Sequence, residues 1–321
     1  MTGVAVPRER MLRSRELELF VRERGEGRPL LLINGLGGNV DMWDAVEERV
    51  STFARTIAFD CPGCGRSPAP RGPVTIGRLA TMVSTALDEL GYEQVDVLGF
   101  SLGGLIAQQL AHDDEARIRR LALVATACGW GSMPGSREAL TLLAMPFRYH
   151  SRFLYDQTRW LLAPADRDLL ERTPELSDSR LKYPPSLLGY MTQLWAGALW
   201  SSLPWLSSVK TPTLVVHGDG DRLIPPANAV QLARHLPVSR LHIVANEGHL
   251  LVFDSESAAL PRLADFFASP TLDESETWAT ATAVDDNATL ERAFAETPGM
   301  EPYRTLSSAF RRAVQRLTDA A

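Results

Sequence analysis

The sequence predicts an α/β protein, a mostly parallel sheet with helices on both faces, and three observations carry that expectation. Short β-type runs alternate with helical patterns from residue 14 to 267, the order that lays crossover helices against a parallel sheet. Most of these runs are apolar almost throughout, as strands covered on both faces must be. One of them turns directly into a helix through Gly-x-Ser-x-Gly, a junction typical of such sheets.

The run ELELFVRE (16–23) alternates like a partly exposed strand. PLLLIN (29–34), TIAFD (56–60), QVDVLGF (94–100), RLALVATA (120–127), PTLVVHG (212–218) and SRLHIVAN (239–246) read as buried parallel strands. Helical patterns fill most of the gaps, among them 76–90 and 102–111. The alternation pauses over 129–206, a stretch without a clear strand that holds eleven of the chain's aromatic side chains. A mostly helical insertion near the strand ends is expected there, in the position of a lid. After residue 267 the segment SPTLDESETWATATAVDDNAT is polar and acidic and reads as a linker. YRTLSSAFRRAVQRL then places Leu306, Phe310, Val314 and Leu317 on one helical stripe, suited to docking on the body, a dimer partner or a surface. The expected organisation is a core of 14–128 and 207–268, an aromatic-rich helical lid of 129–206, and a tail of 269–321.

Composition narrows the function classes. At 321 residues and 45% apolar content the chain has the material for one large core. A net charge of −6 and the lack of any basic run argue against a nucleic-acid partner. The first twenty residues are broken by charges, with no signal-peptide core or transmembrane span, so a cytoplasmic location is expected. Three cysteines do not make a disulfide framework.

Gly99-Phe100-Ser101-Leu102-Gly103 sits between a strong strand and an apolar helix, the context of a nucleophile elbow. Small glycines let strand and helix close around a sharp turn, and the helix aims its N-terminal N–H groups at developing negative charge. A serine nucleophile needs a base, and the base an orienting acid. Of six histidines, His242 lies mid-strand, His217 ends a strand, and His112, His150 and His235 have helix-like or lid-like polar surroundings. His249, in the loop NEGHLLVF after the last strand, suits the order Ser…Asp…His. The loop HGDGDRLIP offers Asp219 and Asp221; its geometry favours Asp221 as the acid, with Asp219 as a turn former. Two backbone donors are needed for an oxyanion, and Leu102 N–H supplies one. The other is expected from NGLGG after PLLLIN, at Leu36 N–H. That glycine pattern brushes against a dinucleotide fingerprint but breaks at Val40, with no ribose-binding acid in sight. No cofactor and no metal are expected.

These stretches together resemble the α/β-hydrolase fold, from about residue 14 to 267. More narrowly, LLINGLGGNVDMWD, FDCPGCGRSPAP, VDVLGFSLGGLIAQQLAHD, LALVATACGWGSMPG, GYMTQLWAGALWSSLPWL, PTLVVHGDGDRLIP and GHLLVF are similar to intracellular medium-chain-length poly(3-hydroxyalkanoate) depolymerases. The oxyanion segment begins Asn34-Gly35 where the wider superfamily usually has His-Gly, and Leu102 stands where tryptophan is expected in the best-matching relatives. The resemblance implies ester hydrolysis through an acyl-enzyme. It makes Asn34, Gly35, Trp195 and Trp200 the expected substrate-binding residues, although the lid aromatics fit a lid core equally well. The partners implied are a polyester granule or a small ester, with a homo-oligomer compatible. A carboxylesterase, lipase or thioesterase on medium acyl chains is the alternative, ahead of a perhydrolase or C–C hydrolase. Cys61 and Cys64 of FDCPGCGRS form a C-x-x-C pair, yet Pro62, Gly63 and Gly65 make a turn where a redox motif would open a helix. They fall at the variable positions of the hydrolase turn, as small apolar fillers.

Overall fold

Alternate side chains along the apolar runs leave opposite faces of one sheet, and each face builds its own core. The computed structural model describes residues 6–14, 17–72, 74–162 and 164–297, so the expected helix carrying Leu306 and Phe310 lies outside the described residues. The strands are β1 (Arg8–Arg13), β2 (Glu18–Arg24), β3 (Arg28–Ile33), β4 (Ala54–Phe59), β5 (Val95–Phe100), β6 (Ile118–Val124), β7 (Thr213–Gly218) and β8 (Ser239–Val244). They form one sheet in the order β1-β2-β4-β3-β5-β6-β7-β8. The β1–β2 and β2–β4 pairs are antiparallel and all others parallel. The sheet thus starts before residue 14, the expected boundary. β1 reads RERMLR, charged at four of six positions, and has no apolar signature because it is an edge held by its ladder to β2.

Leu31, Ile33, Val97, Leu121, Leu123 and Val215 face one core, shared with α2 (Ile76–Leu90), α3 (Leu102–Asp113) and α9 (Ala227–His235). Leu30, Leu32, Leu98, Ala122, Val124 and Leu214 face the other, closed by α1 (Asp44–Val50) and α10 (Ala259–Ala268). Between β6 and β7 the chain forms α4 (Arg137–Leu143), α5 (Arg152–Leu162), α6 (Arg167–Arg172), α7 (Pro174–Lys182) and α8 (Leu187–Ala198), with no strand of the sheet among the described residues there. Among the described residues no helix is long and apolar enough to cross a membrane.

The segment expected to be a linker is folded instead. It folds as α11 (Glu276–Thr280) and α12 (Asn287–Glu296). Ser275 caps α11 by accepting from Trp278 N, and the Trp278 ring stacks on Phe266 at 5.7 Å. Thr282 pairs with Leu241 at the free edge of β8, and Leu290 and Phe294 bury against Met133 and Ala227. The segment is polar on average, yet these few apolar anchors suffice to dock it.

Candidate active site

At the end of β5 the chain must reverse into α3 within one residue. Ser101 absorbs the turn with φ 53° and ψ −120°, a conformation costing about 1–3 kcal/mol for a residue with a Cβ. Its neighbours hold it there: Ser101 N donates to Val124 O at 3.0 Å, while the Thr126 hydroxyl donates to Ser101 O at 2.7 Å. A Cβ on Gly99 would stand 2.7 Å from the Ala107 methyl, and one on Gly103 would strike the Ile33 carbonyl. The glycines are therefore what lets α3 lie on β3 and β5 at this distance.

The structure brings Ser101, His249 and Asp221 together from three loops. His249 Nε2 lies 3.1 Å from Ser101 Oγ, and His249 Nδ1 lies 2.7 Å from Asp221 Oδ2. Asp221 Oδ1 accepts from the N–H groups of Leu223 and Ile224, both at 2.9 Å. Burial alone would push the Asp221 carboxyl up, but His249 and then His217 outweigh it and hold it below the usual carboxylate range. An ionised Asp221 only accepts, so His249 carries its proton on Nδ1 and Nε2 is left to accept from the serine. The imidazole also packs on Phe100, ring centroids 5.0 Å apart. Asp219 lies apart: its Oδ1 accepts from Asn246 N at 2.7 Å and shapes the loop.

His217, at the end of β7, joins this group, although its position at a strand end did not mark it for the site. Its Nε2–H points at Ile224 O (2.7 Å) and at Asp221 Oδ2 (3.2 Å), so it braces the acid. The signal was present, since a histidine four residues before the acid, at the end of the same strand, can reach back across the turn.

Leu36 and Leu102 hold the two expected oxyanion donors, and among the described residues neither N–H is taken by a protein acceptor. Asn34 builds the first of these loops. Its Oδ1 accepts from Gly35 N and its Nδ2 donates to Asn39 O, both at 2.8 Å. Its polar atoms are thereby spent inside the loop rather than on the cavity, whereas Gly35 does line the cavity with Leu36 and Ser101. Gly37, at φ 70°, packs under the Tyr190 ring.

The turn from Asp60 to Ser67 is the platform on which the insertion rests. Asp60, pushed up to about 6 by burial, accepts from Val40 N and Arg66 N, each at 2.7 Å. Gly63 O accepts from Ser186 N at 2.7 Å, and Gln193 Nε2 donates to Pro62 O and to Cys64 Sγ. Cys61, Cys64 and Cys128 are free and buried, and burial pushes the Cys64 and Cys128 thiols up to about 12. No cluster of potential metal ligands occurs among the described residues.

The insertion closes over Ser101 and leaves a cavity of about 40 Å³. Its contribution to the lining is Leu143, Arg148, Tyr149, Tyr155, Arg159, Leu170 and Arg180. The expected Trp195 and Trp200 are not among them. On α8 the buried positions are Gly189, Tyr190, Gln193 and Ala196, so Trp195 falls on the outer side and is 58% exposed. Trp200 packs instead beside α3, its indole N–H donating to Gln109 Oε1 at 2.7 Å. Asp166 enters from the insertion as well. Its Oδ1 accepts from Leu250 N at 3.2 Å, its Oδ2 is buried without a hydrogen-bond partner among the described residues, and burial above all pushes it up to about 7. Nothing in the sequence around Asp166, Arg148 or Arg180 sets them apart from surface charges of a polar helix. A larger groove of about 700 Å³, between β2 and α2, offers the hydroxyls of Ser14, Thr81 and Thr85 but no histidine to activate them.

Residues 28–256 match the family model of the alpha/beta hydrolase fold. A poly(3-hydroxyalkanoate) depolymerase of Ectopseudomonas oleovorans is 38% identical over 241 residues, covering 74% of this chain and 83% of that protein. A 2-hydroxy-6-oxo-2,4-heptadienoate hydrolase of Pseudomonas putida is 26% identical over 287 residues, 84% of this chain and 99% of that one. Among solved structures, the enol-lactonase from Burkholderia xenovorans LB400 superposes with a TM-score of 0.68 at 26% identity, covering 78% of this chain and 97% of its own.

Proposed function

The chain belongs to the alpha/beta hydrolase fold family, and from that premise we propose a serine ester hydrolase that cleaves medium-chain 3-hydroxyalkanoate polyester to 3-hydroxy acids or short oligomers. The observation that carries this reading is the unbroken hydrogen-bond chain from Ser101 Oγ through His249 to Asp221, at 3.1 and 2.7 Å. His249 Nε2 takes the serine proton as Oγ attacks the ester carbonyl. Asp221 keeps the imidazole in the accepting tautomer and then stabilises the imidazolium. The Leu36 and Leu102 N–H groups receive the oxyanion, each donor contributing about 3 kcal/mol. His249 returns the proton to the departing alcohol, and water attacks the acyl-Ser101 ester by the same route.

Two observations support the polyester over a small ester. One is the likeness to the Ectopseudomonas oleovorans depolymerase. The other is the outer face of the insertion: nine of the twelve exposed large apolar side chains among the described residues lie between Trp130 and Leu199. Exposed apolar side chains concentrated in one insertion suit contact with a water-insoluble surface. A cavity of about 40 Å³ is far below the 300 Å³ or more of an occupied small-molecule site, so the insertion acts as a lid that must lift to admit the chain.

Ser101→Ala is expected to lower hydrolysis of nitrophenyl esters and clearing of amorphous medium-chain polyester granules together, by about 10⁴-fold or more. Retained esterase activity in that variant removes Ser101 as nucleophile. Fast ester cleavage by the wild type without granule clearing moves the substrate to small esters.

A further inference from the structure

Two guanidinium groups of the insertion have no carboxylate to neutralise them among the described residues. Arg148, in the turn after α4, and Arg180, on α7, are 1% and 8% exposed, and neither forms an ion pair among the described residues. Burying a cation without a counter-ion is strongly unfavourable. By contrast, buried Arg22 meets Glu47 and Asp44 at 2.9 Å and Arg119 pairs with Asp96, while buried Arg120 donates to the Phe266 carbonyl outside the cavity.

The partial compensation is aromatic. Arg148 Nη2 donates to the Tyr149 hydroxyl at 2.6 Å and its guanidinium lies 4.4 Å from the Tyr149 ring centroid. Arg180 stands 5.8 Å from the same ring, with its Nε directed at Met42 Sδ. Arg148 Nε is buried without an acceptor among the described residues. Burial would push the Tyr149 phenol up, yet the Arg148 and Arg180 charges outweigh that and pull it below its ordinary value. Neither charge meets a carboxylate among the described residues, and both arginines line the cavity that holds Ser101 and His249.

We propose that Arg148 and Arg180 form an anion subsite that holds a free carboxylate of the substrate beside Ser101. The preferred ester is then a hydroxy-acid oligomer engaged at its ionised carboxyl end. This rests on the ester-hydrolase reading and deepens it. Ser101 Oγ bonds to the carbonyl carbon of the penultimate unit and the bond to the terminal unit's oxygen breaks. His249 protonates that oxygen, and the terminal unit leaves as a 3-hydroxy acid with its carboxylate on the arginines. Water then releases the acyl group, freeing a new carboxyl end. Planar guanidinium groups suit a carboxylate better than a point charge would.

The test uses the full chain and three substrates: a 3-hydroxyoctanoate dimer as free acid, the same dimer as its methyl ester, and nitrophenyl octanoate. The free acid is expected to be favoured over the methyl ester by about tenfold or more in kcat/KM, chiefly through KM, with the preference shrinking as salt is raised. In Arg148→Met and Arg180→Met the ratio is expected to fall to near one, with Arg180→Lys retaining part of it. Because a buried arginine variant can fail to fold, a second measurement uses the wild type alone. Free 3-hydroxyoctanoate is expected to compete with nitrophenyl octanoate, and its methyl ester is not. Equal rates on acid and methyl ester, without such competition, overturn the anion subsite and leave the esterase reading standing. A folded wild type that cleaves none of the three removes both.

Discussion

Replacing Asp221 by asparagine tests the assignment of the acid more sharply than deleting it, because the structure dictates how the amide must sit. The backbone N–H groups of Leu223 and Ile224 both point at Oδ1 from 2.9 Å, so the amide oxygen has to occupy that place. The NH₂ group then falls where Oδ2 stood, 2.7 Å from His249 Nδ1. A donor there is satisfied only if Nδ1 is unprotonated, which moves the ring proton to Nε2, facing Ser101 Oγ at 3.1 Å. The base becomes a donor and the imidazolium loses its counter-charge. A change of this kind in a serine triad lowers kcat by about 10⁴, or about 5.5 kcal/mol at 1.36 kcal/mol per tenfold. The assay is steady-state hydrolysis of a nitrophenyl ester, with KM expected within about threefold of wild type because Asp221 does not line the cavity. Asp219→Asn is the companion. Its amide oxygen can still accept from Asn246 N, so a loss below about threefold is expected. A loss under tenfold in Asp221→Asn, or a larger one in Asp219→Asn, would mean that Asp221 does not orient His249.

Asp166 gives a pH signature. Its folded pKa of about 7 lies above the ordinary 3.8, so the favourable contribution of its neutral form is complete below pH 3.8 and is lost as pH rises through 7. The full penalty is at most about 4 kcal/mol. Asp166→Asn keeps the acceptor for Leu250 N–H and is expected to melt above wild type at pH 8, with the gap closing towards pH 4; parallel melting curves across that range count against it. Cys61→Val with Cys64→Val is expected to keep full activity and to lose about 1 kcal/mol, as Gln193 retains Pro62 O while its sulfur partner is gone. Thiol titration should find all three cysteines unreactive until denaturant is added, and rapid reaction in the native state contradicts the filler role. Phe153→Ser with Leu199→Ser alters two of the most exposed apolar side chains of the lid, at 70% and 80% exposure. Sedimentation with polyester granules should weaken while nitrophenyl ester hydrolysis stays; unchanged sedimentation removes the surface role.

Features that depend on short stretches of chain were legible in the residues alone. Apolar runs separated by helical patterns specify a parallel sheet, and a strand, a Gly-x-Ser-x-Gly turn and a helix specify how Ser101 is presented. His249 and Asp221 were legible because each sits in a loop directly after a strand, where this topology gathers its loops at one end of the sheet. Edge strand β1 was not, because an edge needs no apolar run to hold its ladder. The docked helices α11 and α12 were hidden behind a polar average, since three or four anchors decide docking and composition weighs every residue alike. Above all, only tertiary packing decided what faces Ser101. The insertion is dense in aromatics, and the sequence pointed to Trp195 and Trp200, but helix register turned Trp195 outward and put Arg148, Tyr149, Tyr155 and Arg180 over Ser101. Which face of a lid helix looks inward is fixed by what it lands on: Gln193 on Pro62 and Cys64, Tyr190 on Gly37, the Ser179 carbonyl on Asn39. Those contacts join residues more than a hundred positions apart, and no local pattern encodes them.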